Sequence, residues 1–409
     1  MDKKEFKLGL IGLGQRGMQH LNLLLTFPYV NVVAVCDKYA DRAEDAAKLV
    51  NEKRGVLPLS TTDYKALLAS KEVEVVLIAT DWELHVPIAI DTMKANKTVA
   101  LEVGGAYTVD DCYRLVKTWE ETRVPFMFLE NCCYNKDELL GTAMARDGRF
   151  GKIVHCSGSY SHDLRNEVAF GKENRHYRLR NYLARNAENY PTHELGPIAK
   201  VLDINRGNRM VSLVSVASLA AGMEDYIEKN KDKVDPALVG RKWAQGDIVN
   251  TVITCQNGET ILMTLDTTLP RSYTRSFTLR GTNGYYAQDT NSVFLDGDNE
   301  EWDPASFNKR TLDNAKAFEE QYLPKVWKDI TPEAIAAGHG GMDAVMWEAF
   351  FTALENGDPM PIDVYDAAAW MVITALSEQS ILMGGAPQQI PDFTQGAWIF
   401  RDRLDVMKL

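Results

Sequence analysis

Phe6-Lys7-Leu8-Gly9-Leu10-Ile11-Gly12-Leu13-Gly14-Gln15-Arg16-Gly17 is the stretch on which the fold turns. Phe6, Leu8, Leu10 and Ile11 read as a buried strand, and the residues after Gly14 as a helix running through Leu25. A second apolar run, Val30 to Val35, reads as another strand, and the acid Asp37 closes it. A lone G-x-G-x-x-G carries little weight. Set between a strand and a helix, with an acid at the end of the next strand, it marks a dinucleotide-binding βαβ unit. Gly12 permits the tight turn, Gly14 lets backbone approach a pyrophosphate, and Gly17 lets helix pack close on strand. The helix N-terminus offers unpaired N–H groups to the phosphates. Asp37 suits a ribose diol, and its charge opposes a 2′-phosphate, so NAD is the expected cofactor.

Strand and helix keep alternating outward from this unit. Val73–Ala79 is a nearly continuous apolar run, as a parallel strand buried on both faces requires. Thr98–Glu102 and Pro125–Glu130 read as further strands, and Thr108-Val109-Asp110-Asp111 as a capped helix start. Residues 1–130 therefore form a doubly wound, Rossmann-type parallel sheet. From Ile153 the pattern changes. Strands lengthen and alternate (Ile153–Tyr160, Met210–Ala217, Ile248–Gln256, Thr260–Thr268), with the hairpin signal Asn257-Gly258 between the last two. Residues 131–409 are expected to be an α+β domain with an open, mainly antiparallel sheet. Helices at 342–356 and 364–383 cover it or return to the first domain. Segment 161–191 shows little regular pattern. An open sheet face leaves room for a second copy, so a homo-oligomer is an expectation.

The 409 residues carry a net charge of −12, which argues against nucleic acid and anionic membrane as partners. No apolar run reaches membrane-span length. The short leader Met1–Glu5 points to the cytoplasm, or to export if a signal has been removed. The six cysteines show no metal-type spacing, no residue set resembles a metal site, and none is assigned.

Ligands bind at the carboxyl ends of parallel strands. There the sequence places Asp81-Trp82-Glu83-Leu84-His85, then Glu102-Val103-Gly104-Gly105, then Glu130-Asn131. In the second domain, Tyr160 and His162 end a strand, and Arg175, Arg178 and Arg180 follow. Next comes Tyr190-Pro191-Thr192-His193-Glu194. Histidine as a residue type suits proton transfer, which makes His193 a candidate, and a Tyr can pass a proton to or from a hydroxyl. His339 and Asp343 form a Gly-flanked pair ahead of a helix.

These residues together resemble the glucose-fructose oxidoreductase, inositol dehydrogenase and MocA family. That family has a Glu-Lys-Pro where this chain reads Glu102-Val103-Gly104, so the usual lysine is missing. Glu102-Val103, together with 158–165, 185–197, 202–209 and 338–343, is similar to glycoside hydrolase family 109, known for NAD-dependent α-N-acetylgalactosaminidases. Gly104-Gly105 and Cys132-Cys133 depart from its pattern. The resemblance implies cofactor contacts at Gly12, Gly14, Gln15, Arg16, Gly17, Asp37, Trp82, Glu83, Leu84, His85, Glu102, Val103 and Asn131. It implies a carbohydrate substrate held by Tyr160, Arg178, Tyr190, Pro191, Thr192, His193 and Tyr273, with Tyr160 and His193 catalytic. The implied reaction is glycoside cleavage through transient oxidation at C3. The alternative is a conventional NAD-dependent sugar or cyclitol dehydrogenase.

Overall fold

Two hydrophobic periods produce two different sheets. The computed structural model describes residues 4–297, 311–336 and 338–409. Strands β1 (Phe6–Ile11), β2 (Val30–Cys36), β3 (Leu59–Thr61), β4 (Val75–Ile78), β5 (Thr98–Leu101) and β6 (Phe126–Phe128) form one sheet. Its order is β3-β2-β1-β4-β5-β6, and every pair is parallel. β4 is buried along its whole length, as a strand covered on both faces must be. Helices Gln15–Leu24, Ala40–Arg54, Trp82–Lys94 and Val109–Thr122 are among its connections. The last begins with the expected capping box, Thr108 and Asp111 each bonding the other's backbone N–H. The short edge strand β3 escapes sequence reading. Its first two residues are exposed, so no apolar run announces it, and pairing with β2 alone makes it a strand.

The second sheet contains β7 (Ile153–Ser161), β8 (Met210–Ala217), β9 (Ile248–Cys255), β10 (Thr260–Asp266), β11 (Thr278–Gly281), β12 (Gly284–Ala287), β13 (Ser292–Leu295) and β14 (Gln388–Gln389). Its order is β13-β12-β11-β7-β10-β9-β8-β14, antiparallel except for the β7–β10 pair. Asn257-Gly258 makes the β9–β10 turn, with Gly258 at φ 99. Segment 161–191 is more regular than its sequence suggests. It holds two short helices, Arg165–Ala169 and Arg178–Ala184. Side-chain ion pairs, Arg165 with Asp163 and Arg178 with Glu167, stand in for the missing apolar periodicity.

The chain divides into one compact unit of residues 1–131 and 330–368 and another of 132–329 and 369–409. Relative to a division at 130, segment 330–368 goes with the first unit. Its helix Met342–Asn356 is rich in aromatics. The Phe351 ring lies 5.0 Å from Phe6, 6.0 Å from Phe27 and 5.5 Å from Tyr29. Trp347, fully buried, donates from Nε1 to His20 Nδ1 at 2.9 Å. All six cysteines are buried. Among the described residues, no helix is long and apolar enough to cross a membrane. Truncating Phe351 to Ala should cost about 3–5 kcal/mol, the range for a buried aromatic. Denaturant unfolding of the variant, with wild-type secondary structure retained, checks this.

Candidate functional site

In the first unit, strand order reverses between β1 and β4, and the loops leaving those strands touch. Gly12 has φ 94, and a Cβ there would sit 2.5 Å from the Ala79 carbonyl oxygen. A Cβ at Gly17 would sit 1.9 Å from the Gly12 carbonyl oxygen, so helix and loop are as close as backbone allows. Gly14 faces open space apart from Arg42 Nη1, 3.5 Å from where its Cβ would be. It is the N-cap of helix Gln15–Leu24 and no side chain caps that end. The first-turn N–H groups of Gln15, Arg16 and Gly17 therefore have no helical acceptor. This cradle fits a pyrophosphate.

Asp37 is buried beside it. Its Oδ2 accepts from Leu13 N–H at 2.7 Å and its Oδ1 from Tyr39 N–H at 2.9 Å. Each oxygen keeps a lone pair for a hydroxyl. The carboxylate thus shapes the glycine turn as well as offering itself to a ribose.

A buried ionic network braces the cradle. Glu102 Oε1 accepts from Arg16 Nε at 2.7 Å and lies 2.6 Å from His20 Nε2, while Oε2 accepts from Val103 N–H at 3.0 Å. The Trp347 bond to His20 Nδ1 leaves the ring proton on Nε2, directed at Glu102. Arg16 donates from Nη1 and Nη2 to the two oxygens of Asp343 at 2.7 and 2.9 Å, and Asn131 Nδ2 donates to Asp343 at 2.7 Å. Burial opposes the charge on Glu102, yet Arg16 and His20 hold it far below the usual carboxylate range. Asp343 is likewise held low against burial, by Arg16. Burial and the neighbouring Arg16 push His20 down, so its imidazole is neutral. The side chains of Arg16 and Glu102, expected at the cofactor, face each other and stiffen the loop. His339 joins this network, its Nδ1 lying 2.8 Å from Asp343 Oδ2, on a segment where Gly338, Gly340 and Gly341 all take positive φ.

Trp82, Glu83, Leu84 and His85 form the first turn of helix Trp82–Lys94, after β4. Trp82 and His85 are buried, whereas Leu84 is exposed. His85 donates from Nε2 to the Thr80 carbonyl at 3.1 Å, and burial pushes its titration down. Gly104 has a plain reason: a Cβ there would lie 2.4 Å from Trp82 Cδ1. The glycine makes room for the indole.

In the second unit, Tyr160 at the end of β7 is the centre of an aromatic cluster. Its ring centroid is 4.5 Å from Tyr190, 5.5 Å from His193, 6.1 Å from His162 and 6.5 Å from Tyr273. Tyr190 meets His193 edge-on at 4.8 Å. Tyr190 and Pro191 lead into helix Thr192–Val201, which fixes Thr192 and His193 in its first turn. Thr192 is fully buried, and its Oγ1 finds no partner. Arg178, at the start of its own short helix, lies 5.1 Å over the Tyr190 ring and is ion-paired with Glu167. Burial pushes the Tyr160 phenol up, and Arg178 pulls it partly back. The phenol is therefore neutral, able to donate and to accept.

The residues expected to hold a sugar thus converge, although the chain separates them widely. Sequence reading placed His162 beside Tyr160 but left out the charged supports. Arg275 donates from Nη1 to the Tyr273 hydroxyl at 2.9 Å and from Nε to buried Glu138 at 2.6 Å. Glu167 anchors Arg178, and His162 packs 5.2 Å from Tyr273. Only His162 carried a local signal, its place beside Tyr160 at a strand end.

Comparison with known proteins bears on both units. Residues 6–129 match the model of the oxidoreductase family with an NAD-binding Rossmann fold. Residues 134–400 match that of the glycosyl hydrolase 109 C-terminal domain. The α-N-acetylgalactosaminidase of Tannerella forsythia is 36% identical, over 97% of this chain and 87% of its own. That of Shewanella oneidensis is also 36% identical, over 96% and 86%. Among solved structures, a levoglucosan dehydrogenase in complex with NADH and L-sorbose superposes with a TM-score of 0.71. It is 19% identical and covers 95% of this chain and 100% of its own. Apo scyllo-inositol dehydrogenase from Lactobacillus casei gives 0.67 at 13% identity, over 95% and 99%. These two share the fold.

Arg16→Met should leave two buried carboxylates without their cation and cost about 3–5 kcal/mol. Because Glu102 and Asp343 are depressed in the fold, their contribution is present above their unfolded values near pH 4 and is lost as pH falls below them. Wild-type stability should therefore fall steeply under acid, and the variant's less so; thermal denaturation from pH 7 to 3 checks both. Gly104→Ala should displace Trp82, costing about 1–3 kcal/mol for overpacking and weakening NAD binding, read by calorimetric titration.

Proposed function

The chain belongs to glycosyl hydrolase family 109, and from that premise we propose that it is an NAD-dependent glycosidase acting on N-acetylgalactosaminides or related glycosides. The observation that carries the reading is the meeting of Tyr160, Tyr190 and His193 around one point, with Arg178 held over Tyr190 by Glu167. NAD, when bound in the glycine cradle, supplies a hydride acceptor that each cycle restores. Oxidation at sugar C3 acidifies the C2 proton, since the carbanion left behind is an enolate. Loss of that proton expels the aglycone from C1; water then adds at C1, C2 regains a proton, and the C3 ketone takes the hydride back.

Two proton-handling groups are needed, one at the C3 hydroxyl and one at C2–H. Tyr160 and His193 take these roles. The Tyr160 phenol is neutral, so it can accept one hydrogen bond from the sugar hydroxyl through its oxygen and donate another through its O–H. His193 offers an imidazole, whose ring nitrogen can take a proton from carbon. Tyr190 offers an aromatic face, and Arg178 and Thr192 offer polar groups that orient the ring. Tyr273, tied by Arg275, borders the same cluster.

A p-nitrophenyl α-N-acetylgalactosaminide should release nitrophenol in the presence of NAD⁺ with no net NADH absorbance. NADH accumulating in step with product would mark a dehydrogenase instead. His193→Ala should retain NAD and lose ~10²–10⁴ in turnover, the range for a general acid or base. Turnover within a few-fold of wild type would remove His193 from the chemistry.

A further inference from the structure

Two acids bracket the turn that carries Tyr190 and His193, and the chemistry above uses neither. Glu188 is fully buried and Glu194 is 2% exposed. None of their four carboxyl oxygens accepts a well-formed hydrogen bond from an N–H or O–H group. Their side chains lie within hydrogen-bond reach of each other. Two carboxylates cannot hydrogen-bond, because neither carries a proton. Two buried like charges in contact also repel strongly, so at least one must be neutral.

The backbone on either side is held independently. Glu188 N–H donates to Ser377 Oγ at 2.8 Å, and its carbonyl accepts from Thr374 Oγ1 at 2.7 Å. Glu194 sits in the first turn of helix Thr192–Val201 against β7, where a Cβ at Gly158 would lie 3.1 Å from Glu194 Cβ. The two carboxyls therefore close the turn from inside.

We propose that Glu188 and Glu194 share a proton as a buried carboxyl pair that locks the Tyr190–His193 turn, which makes them positioning residues for the sugar site. The inference rests on the glycosidase reading for its effect on rate, and on the geometry alone for the shared proton. Burial pushes Glu188 up to about 8 and Glu194 well above the usual range. The groups facing the pair leave this intact. From β7, Tyr160 turns its backbone amide toward Glu194, and from β10 Thr264 does the same. From helix Val364–Leu382 come the hydroxyls of Thr374 and Ser377, and the next residue, Glu378, is engaged by Arg185. On the segment itself the titratable neighbours are Tyr190 and His193, and Arg178 above Tyr190 is engaged by Glu167.

A carboxyl whose folded value is raised contributes fully below its unfolded value, and that contribution is lost as pH rises through the folded one. Loss of the shared proton should splay the turn and lower kcat on the alkaline side. The test compares wild type with the double variant E188Q/E194Q. Infrared difference spectra at pH 7 should show the carbonyl stretch of a buried carboxylic acid in wild type and its loss in the variant. The alkaline limb of kcat should move up by at least about one pH unit, since an amide pair has no proton to lose in that range. Both carboxyls ionised at pH 7, an unshifted limb, or a cation bound by wild type and lost from the variant would each overturn the proposal. If wild type turns over no glycoside, the infrared result and the pH dependence of thermal stability still decide the proton, separately from the glycosidase reading.

Discussion

A charge taken out of water must be answered by another charge or neutralised. That constraint shapes both units. In the first, Arg16 lies between Glu102 and Asp343, and without it two buried carboxylates would stand uncompensated. In the second, Arg178 pairs with Glu167 and Arg275 with Glu138. The clustered aromatics hang on these pairs: Tyr190 under Arg178, and Tyr273 on Arg275. Buried ion pairs are poor sources of stability compared with apolar packing. Here each fixes a neighbouring side chain in place.

The glycine cradle is held by the same logic. Its loop is short of side chains, so its shape depends on what grips its flanks. Asp37 grips the Leu13 amide, and Arg16 grips Glu102 and Asp343. The returning helix Met342–Asn356 adds Trp347, which sets the His20 tautomer and so the donor that faces Glu102. A segment more than three hundred residues away in the chain thereby orders the first turn of the molecule.

Much of this was legible in the sequence because it is local. Strand, glycine turn and helix follow one another from Phe6 to Leu24, and period-two alternation marks β9 and β10 around Asn257-Gly258. The sugar-site candidates could be named from short motifs such as Tyr190–His193. Their supports could not. Glu138, Glu167 and Arg275 look like ordinary charged residues in sequence, and only long-range pairing gives them a purpose. Gly104 is instructive. It reads as a departure from a family pattern, whereas in the fold it is the space that the Trp82 indole occupies.

The sequence by itself determined the parallel and antiparallel sheets and the dinucleotide cradle. Each is encoded within a turn or two of chain, by hydrophobic period or glycine placement. Tertiary structure alone decided which charges neutralise each other, which edge residues become β3, and where segment 330–368 belongs. It also decided that Glu188 and Glu194 face one another rather than water. The physical reason is distance: pairing energies act across a few ångströms of space, and sequence separation carries no information about that space until the chain is packed.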